Sequence, residues 1–207
     1  MREDVYTIGH STHAIEKFIQ LLLQHGITAV GDVRSQPYSR VNPQFNREPL
    51  RNALKSCGIA YVPLGKELGA RTDDRSCYCH GKVQYDRLAR TEPFRHGLER
   101  VKEGARTHRI ALMCAERDPL QCHRSILVAR HLLAEDMQVK HILADGRIEQ
   151  HDQAMVRLAS SLRLPADDMF RSKEEITAEA YRLQGEAIAY QEKVSDEESS
   201  RQQLAAQ

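Results

Sequence analysis

Residues 109–133, RIALMCAERDPLQCHRSILVARHLL, decide which fold this chain adopts. The apolar run at the start predicts a buried β-strand over residues 109–113, and the helical spacing of apolar residues at the end predicts a helix over residues 125–135. The turn between them contains two cysteines, a glutamate, a histidine and an arginine. The stretch is therefore a strand, a reactive turn and a helix.

The same alternation of strand and helix continues on both sides of this stretch. The other predicted strands cover residues 5–8, 27–33, 59–62 and 139–143, and the other predicted helices cover residues 14–26, 48–57, 93–103 and 149–164. Repeated β–α units form a mostly parallel sheet with right-handed crossovers and helices on both faces. We therefore expect a Rossmann-like three-layer α/β sandwich with about five mostly parallel strands and a helical C-terminal extension.

The length of 207 residues suits one domain with an appendage. We assign residues 1–165 to a single α/β domain and residues 166–207 to a charged tail that is helical or partly disordered. In this tail, residues 173–192 are predicted to form an exposed helix and residues 195–207 to be disordered. Residues 63–90 have no clear period and form an excursion much longer than a usual strand-to-helix connection, a type of loop that often carries function.

Composition and charge exclude several classes of protein. The chain has no apolar run of about 18 residues and no signal-like N-terminus, so we expect a cytoplasmic protein without a membrane partner. Five cysteines without a repeating spacing predict free thiols in a reducing compartment. The net charge is +1, but residues 173–207 hold 4 Lys and Arg against 8 Asp and Glu, which leaves 26 against 21 in residues 1–172. A mildly basic body is compatible with an anionic ligand.

The predicted strands bring reactive residues to one edge of the sheet. In an open parallel sheet, ligands bind at the carboxyl ends of the strands, where the strand order reverses. From these strand ends we predict a catalytic group of Cys122, Cys114, Glu116, His10 and Asp32. One of the two cysteines attacks or assists, and one of the two carboxylates acts as base or orienter. His10 shuttles a proton, provided that it titrates near neutrality.

Cys122 is the first candidate for the nucleophile because His123 and Arg124 follow it at the predicted start of a helix. A helix N-terminus and neighbouring cations lower the pKa of a thiol. The alternative is that Cys122 is a small apolar residue packed beneath the helix. The sequence leaves both interpretations open.

Arginines and small polar residues at the same edge predict the binding of an anion. Guanidinium groups bind phosphate and carboxylate with two parallel hydrogen bonds, so several of them around one crevice indicate a phosphorylated ligand. Some of these arginines could instead pair with Asp32 and Glu116. The predicted ligand-binding residues are Ser11, Arg34, Ser39, Arg40, Arg71, His123 and Arg124.

A metal site is an alternative that the cysteine pattern does not settle. The segment Cys77-Tyr78-Cys79-His80 places metal-binding side chains close together, and these could act with Cys114 or Cys122. However, no Cys-x-x-Cys pair occurs, and no cysteine has an arginine at the spacing of a cysteine-dependent phosphatase loop. We therefore assign no residue as a metal ligand, and the cofactor stays unknown.

Five ordered motifs over about residues 5–160 resemble the domain-of-unknown-function family 488. They are TIGHST, GDVRSQPYSR, KELGAR after Tyr61, MCAERDPLQCHR and KHILADGRIEQH, whereas the CYCH segment is not part of the pattern. The resemblance implies a Rossmann-like α/β domain and no established activity. The shared residues that it implies are His10, Ser11, Asp32, Arg34, Pro37, Ser39, Arg40, Gly69, Arg71, Cys114, Glu116, Cys122, His123, Arg124 and His141.

Three functional hypotheses follow from the sequence. The first is a hydrolase or transferase that acts on a phosphate-bearing ligand such as a nucleotide or nucleic acid. The second is a module that binds a nucleotide or another anion without converting it, and the third is a Cys/His metal or redox protein. The chain has no Trp and 5% aromatic residues, which favours a small nucleotide over single-stranded nucleic acid. The oligomeric state is left open.

Overall fold

A six-stranded sheet forms the centre of the computed structural model, which describes residues 3–165 and 169–192. Its strands are β1 (Asp4–Gly9), β2 (Ala29–Asp32), β3 (Ala60–Pro63), β6 (Ile110–Cys114), β7 (Gln138–Ile142) and β8 (Ile148–Gln150). They lie in the order β3-β2-β6-β1-β7-β8, and all neighbours are parallel except β7 and β8. A small antiparallel hairpin of β4 (Tyr78–Cys79) and β5 (Lys82–Val83) lies outside this sheet.

Helices cover both faces of the sheet. They are α1 (Ile15–Gln24), α2 (Arg47–Ser56), α3 (Gly65–Leu68), α4 (Tyr85–Leu88), α5 (Glu92–Ala105), α6 (Arg130–Ala134), α7 (His151–Ser161) and α8 (Lys173–Ile188). Apolar residues of α1 and α2 form one core with the sheet, whereas those of α3, α5 and α6 form a second core on the opposite face. The expected three-layer α/β fold of the Rossmann-like kind is therefore confirmed.

The alternation of side chains along the central strands explains why both faces are covered. In β6, Leu112 packs into the core with α5, and its neighbours Ala111 and Met113 pack into the core with α1 and α2. Successive side chains of a strand point to opposite faces, so an uninterrupted apolar run requires burial on both sides. The strand at residues 109–113 was predicted on this basis.

The structure adds elements that the sequence pattern did not show. The segment at residues 63–90 contains α3, the β4–β5 hairpin and α4 instead of one long loop. The predicted helix over residues 149–164 begins only at His151, because Ile148–Gln150 pairs with β7 as an antiparallel edge strand. The predicted helix over residues 125–135 begins as a π-helix, Arg124–Ala129, and continues as α6.

The prediction that the C-terminal helix is exposed was wrong. Helix α8 packs against α7 and the π-helix, and it buries Ile176, Ala180, Tyr181, Gln184 and Gly185. The spacing of these positions puts them on one face of the helix. The face contains small and polar residues, so the sequence shows no apolar periodicity there. Residues 195–207, which were predicted to be disordered, lie outside the described residues.

The strand order places a crevice between the ends of β1 and β6. These strands are neighbours, yet the chain leaves β1 towards α1 on one face and leaves β6 towards the π-helix on the other. The two connections diverge and leave a gap at the carboxyl ends of the strands, which is where doubly wound sheets bind ligands. In the part of the chain that the structure describes, no helix has the length and apolar character needed to cross a membrane.

A buried chain of hydrogen bonds joins the sheet to the two C-terminal helices. Thr7 Oγ1 contacts His141 Nδ1 at 2.7 Å, His141 Nε2 contacts His151 Nδ1 at 2.9 Å, and His151 Nε2 contacts the Tyr181 hydroxyl at 2.6 Å. Each imidazole then uses one nitrogen as donor and the other as acceptor, which is the hydrogen-bonding capacity of the neutral ring. His141 is thus a hydrogen-bonded core residue, as its position in a predicted strand indicated.

Acid is expected to weaken this connection. Burial lowers the pKa of His151 from 6.5 to about 4 and that of His141 well below its usual value. Between pH 6.5 and 4 the unfolded chain therefore takes up protons that the folded chain does not bind, so the free energy of unfolding falls as the pH falls. The contribution of His151 reaches roughly 3 kcal/mol at pH 4.

The measurement is urea unfolding from pH 7 to pH 4 for the wild type and His151→Gln. We expect the variant to be less stable at pH 7 and to lose less stability on acidification. His108→Gln, which changes an exposed histidine, should keep the wild-type slope. Equal slopes for His151→Gln and the wild type would contradict the assignment.

Candidate functional site

Two cysteines and one histidine converge at the crevice. Cys114 ends β6, and the loop that follows returns through a 3-10 turn, Pro119–Gln121, which brings Cys122 back beside it. The Nδ1 atom of His123 lies 3.8 Å from Cys114 Sγ and 3.7 Å from Cys122 Sγ. His123 Nε2 donates a hydrogen bond to the carbonyl of Val33 at 3.0 Å, which leaves Nδ1 with a lone pair directed at the two sulfurs.

The two thiols have different acidities. Burial alone raises the pKa of Cys122, but the hydrogen bond from the Cys114 thiol, the positive charge of Arg124 and His123 together hold it well below its usual value. The pKa of Cys114 is raised well above its usual value, first because it donates to Cys122 and second because it is buried. Cys122 is therefore the more acidic thiol of the pair.

Arg124 fixes the loop that carries this pair. Its side chain is 1% exposed, and it donates to the carbonyl of Glu116 at 2.7 Å and to the carbonyl of Arg117 at 3.3 Å. The loop is also held by β1, because the backbone N–H groups of His10 and Ser11 donate to the carbonyls of Cys114 and Ala115 at 2.9 Å. Arg124 is thus a buried support of the loop and does not line the cavities described below.

The close approach of β1 to this loop requires a glycine at position 9. A Cβ atom on Gly9 would lie 1.9 Å from the carbonyl oxygen of Glu116 and 3.2 Å from the guanidinium of Arg124. A contact of 1.9 Å with a backbone atom can be relieved only by moving the loop. Gly9, the first residue of the sequence motif Gly9-His10-Ser11, therefore allows the loop between Cys114 and Cys122 to pack against the end of β1.

Asp32 and Arg34 form a buried pair next to the cysteines. The guanidinium of Arg34 donates to both carboxylate oxygens of Asp32, at 2.9 and 2.7 Å, and to the carbonyl of Phe45 at 2.8 Å. The hydroxyl of Tyr61 donates to the same carboxylate at 2.8 Å. Asp32 is therefore occupied by its neighbours and orients Arg34, an alternative that the sequence had left open.

His10 is held in its neutral form. Its Nδ1 donates to the carbonyl of Ser11 at 2.9 Å, its Nε2 accepts from Arg34 Nη1 at 3.2 Å, and its ring stacks on Phe45. Burial lowers the pKa of His10 to about 4. The condition attached to its predicted role as a proton shuttle, titration near neutrality, is not met in this environment.

Three adjoining cavities follow this edge of the sheet. The thiol cavity, about 270 Å³, is lined by Cys114, Cys122, His123, Arg34, Glu116, Arg71 and, among others, Tyr85 and Tyr190. The His10 cavity, about 480 Å³, contains His10, Ser11, Ser39 and Glu116 and shares Arg34 with the thiol cavity. The outer cavity, about 650 Å³, contains Lys66, Thr72, Tyr78 and Glu192 and shares Arg71, Ser35 and Tyr190 with the thiol cavity.

Most of the predicted site residues thus meet in one groove. Glu116 lies at the rim, where loss of solvent around its carboxyl, followed by the charge of Cys122, raises its pKa. Ser39 Oγ accepts from the backbone N–H of Asn42 and helps to shape the loop after β2. Arg40 is exposed and is not among the residues that line the three cavities.

The sequence analysis missed two tyrosines of the thiol cavity. Tyr85 begins α4 and lines the thiol cavity, and its pKa is raised by burial and then by negative charge at Cys122 and Cys114. Tyr190 follows α8, far from the reactive turn in the chain. No local pattern marks either residue, because both reach the cavity through the packing of the excursion and the C-terminal segment.

The CYCH segment does not join the reactive cluster. Among the described residues, the group of three metal-binding side chains that the structure brings together is Cys114, Cys122 and His123. Cys77 is buried in the same core as Cys114 and Cys122 but is not a member of this group, and Cys79 lies in the β4–β5 hairpin. The role proposed for Cys77, Cys79 and His80 as metal ligands thus has no geometric support.

The fold and the groove define an α/β protein with a buried Cys–Cys–His cluster at the switch point of its sheet. A family model, the domain of unknown function DUF488, matches residues 14–131, which are 118 of the 207 residues. The chain belongs to this family. No curated protein and no solved structure matches it. The matched region contains Cys114, Cys122 and His123 but ends before α7 and α8.

The lowered pKa of Cys122 can be measured by alkylation. The rate of modification by iodoacetamide, followed for each cysteine by mass spectrometry, should show Cys122 ionising well below the usual pH of about 8.5. In Cys114→Ala, which removes the donor thiol, we expect the apparent pKa of Cys122 to rise. An unchanged pH profile in this variant would show that Cys114 does not stabilise the thiolate.

Proposed function

We propose that this chain is an enzyme of hydrolase or transferase type that acts on a phosphate-bearing ligand held in the groove. The observation that carries the proposal is the thiol cavity itself. It combines a cysteine with a lowered pKa, a histidine whose free nitrogen faces that cysteine, and two arginines on the same wall. A nucleophile, a base oriented by a third group and an anion-binding side chain are the parts of a covalent catalytic site.

Cys122 is the proposed nucleophile and His123 is the proposed base. His123 Nδ1 accepts the thiol proton, and its hydrogen bond to the Val33 carbonyl keeps the ring in the tautomer that this step needs. The sulfur then bonds to the electrophilic atom of the ligand, and the leaving group departs with the bonding electrons and takes the proton from His123. Water or a second substrate finally receives the transferred group and releases the thiolate.

The charges around the thiol cavity suit a ligand with a phosphate group. Arg34 uses four of its five N–H hydrogens on Asp32, Phe45 and His10, which leaves one Nη1 hydrogen among the contacts of the described residues. Arg71 lies at the rim and has no carboxylate partner within the described residues. Glu116, whose pKa is raised, and Tyr85 line the same cavity as the two thiols and are the proposed proton-transfer groups.

A nucleotide is the phosphate-bearing ligand that we favour, because the groove offers separate compartments for a phosphate and for a larger group. Turnover distinguishes an enzyme from a module that only binds anions. A panel of nucleotides and sugar phosphates, assayed for product with the full chain, provides the substrate for the experiments below.

Replacement of the nucleophile should separate binding from turnover. Cys122→Ser is expected to lose at least about a hundredfold in turnover while it keeps ligand binding, because a serine hydroxyl does not ionise under these conditions. The matched control is Cys57→Ser, which changes an exposed cysteine outside the groove and should keep full activity. Full turnover by Cys122→Ser would rule out a mechanism in which the Cys122 thiolate is the nucleophile.

A metal centre is the second candidate, and one geometric observation favours it. The ligand atoms of Cys114, Cys122 and His123 lie within 4.8 Å of one another, and the two S–N separations are 3.7 and 3.8 Å. Two ligands of a tetrahedral zinc ion, at about 2.3 Å for sulfur and about 2.0 Å for nitrogen, are separated by roughly 3.6 Å. The hydrogen bond from His123 Nε2 to a carbonyl is also typical of a metal-bound histidine.

Elemental analysis decides between these two candidates. For the thiolate mechanism, we expect less than about 0.1 equivalent of zinc, iron or copper in protein purified without a metal-binding tag. Near-stoichiometric metal that is lost in Cys114→Ala and Cys122→Ala, but kept in Cys57→Ser, would establish the metal centre and overturn the role of Cys122 as nucleophile.

A further inference from the structure

We propose that Tyr190, which lies outside the region matched by the family, is a positioning residue that holds Arg71 as the anion-binding group of the groove. The ring of Tyr190 and the guanidinium of Arg71 are stacked, with 4.0 Å between the guanidinium carbon and the ring centroid. Both residues line the thiol cavity and the outer cavity, so the pair stands where the two compartments join. This inference extends the proposed function because it names the residues that receive the anionic group.

The segment that carries Tyr190 is fixed to the body of the protein by its backbone. Val83 N–H donates to the carbonyl of Tyr190, and Glu192 N–H donates to the carbonyl of Gly81, both at 2.9 Å. Gln191 also pairs with Lys82 as an antiparallel bridge. The chain after α8 is therefore paired with the β4–β5 hairpin through an isolated bridge, and this pairing fixes where the Tyr190 ring lies along the groove.

Side-chain contacts reinforce this attachment. Arg75 forms two hydrogen bonds with the carboxylate of Glu192, at 2.5 and 3.0 Å, and Gln191 Nε2 donates to the carbonyl of His80 at 2.9 Å. At the other side of the groove, the backbone N–H of Arg71 donates to Ser35 Oγ at 3.0 Å, next to the Asp32–Arg34 pair. The segments that carry Tyr190 and Arg71 are thus anchored independently of each other, and the two side chains stack where the cavities join.

Stacking leaves the hydrogen-bonding capacity of Arg71 free. The ring of Tyr190 contacts the face of the guanidinium, whereas all five N–H groups lie in its plane and point outward from its edge. An arginine at an exposed position otherwise samples many rotamers, and ordering it costs free energy when a ligand binds. Tyr190 lowers this cost by holding the planar group in place, so that its edge is available for two parallel hydrogen bonds to a phosphate.

The arrangement also assigns the two arginines of the thiol cavity to different tasks. Arg34 is largely used by Asp32, Phe45 and His10, and its charge is balanced by the carboxylate. Arg71 is the arginine of this cavity whose charge has no carboxylate partner in the described part of the chain. Of the two arginines, Arg71 therefore contributes more to the binding free energy of an incoming anion.

A double-mutant cycle with inorganic pyrophosphate as the probe tests this inference. The dissociation constant is measured by calorimetry at low ionic strength, with EDTA present, for the wild type, Tyr190→Leu, Arg71→Ala and the double variant. We expect Tyr190→Leu to weaken binding about fivefold, which is the scale of one cation–π contact. In the Arg71→Ala background the same change at Tyr190 should have no further effect, because it acts only through Arg71.

Two further variants separate positioning from mere structural support. Tyr190→Phe keeps the ring face and should bind pyrophosphate within about twofold of the wild type. Gln191→Ala removes only the side-chain hydrogen bond to the His80 carbonyl and keeps the backbone pairing that positions the Tyr190 ring, so it should bind within about twofold of the wild type. Additive losses in the cycle, a Phe variant as weak as Leu, or no pyrophosphate binding by the wild type would each overturn the inference. Because binding is measured without turnover, failure of the catalytic role of Cys122 would leave this result unaffected.

Discussion

The buried guanidinium of Arg124 is the constraint on which the rest of the site depends. A fully buried arginine must have its hydrogens bound and its charge balanced, since an uncompensated buried charge costs several kcal/mol. Arg124 meets the first requirement in part, because its two Nη groups bind the carbonyls of Glu116 and Arg117, and this fixes the loop between the two cysteines. Its buried Nε has no hydrogen-bond partner among the described residues. An ionised Cys122 contributes to the second, because its charge and that of Arg124 attract each other. One side chain therefore positions the two cysteines and lowers the pKa of Cys122.

This arrangement explains why sequence reasoning located the site better than it assigned roles. The alternation of apolar strands and amphipathic helices was sufficient to predict the α/β class and five of the strands, because burial on both faces of a parallel sheet leaves a clear pattern. The same topology brings every strand end to one edge, so His10, Asp32, Arg34 and Glu116 were expected to meet. Their contacts bear out this proximity.

The roles of these residues depend on how deeply each side chain is buried and on which group it pairs with. Neither property can be read from the order of residue types in the sequence. Arg124 and Arg34 were interpreted alike as anion-binding side chains, yet one is enclosed by carbonyls and the other is held by a carboxylate. His10 has the residue type of a proton shuttle, but burial lowers its pKa to about 4. The packed stripe of α8 and the pairing of Tyr190 with the hairpin are long-range contacts, for which no local period exists.

The site consequently has an inner part that is fixed and an outer part that is open to a ligand. The inner side chains satisfy one another: Arg34 with Asp32, Cys122 with Cys114 and His123, and Arg124 with the loop carbonyls. Groups that are already paired gain little from a ligand, so the proposed function assigns chemistry and rigidity to them rather than selectivity. At the rim, Arg71 and Glu116 retain unsatisfied charge, and Tyr190 comes from a segment beyond the matched family region. In the proposed function, selection of the ligand therefore falls to the rim.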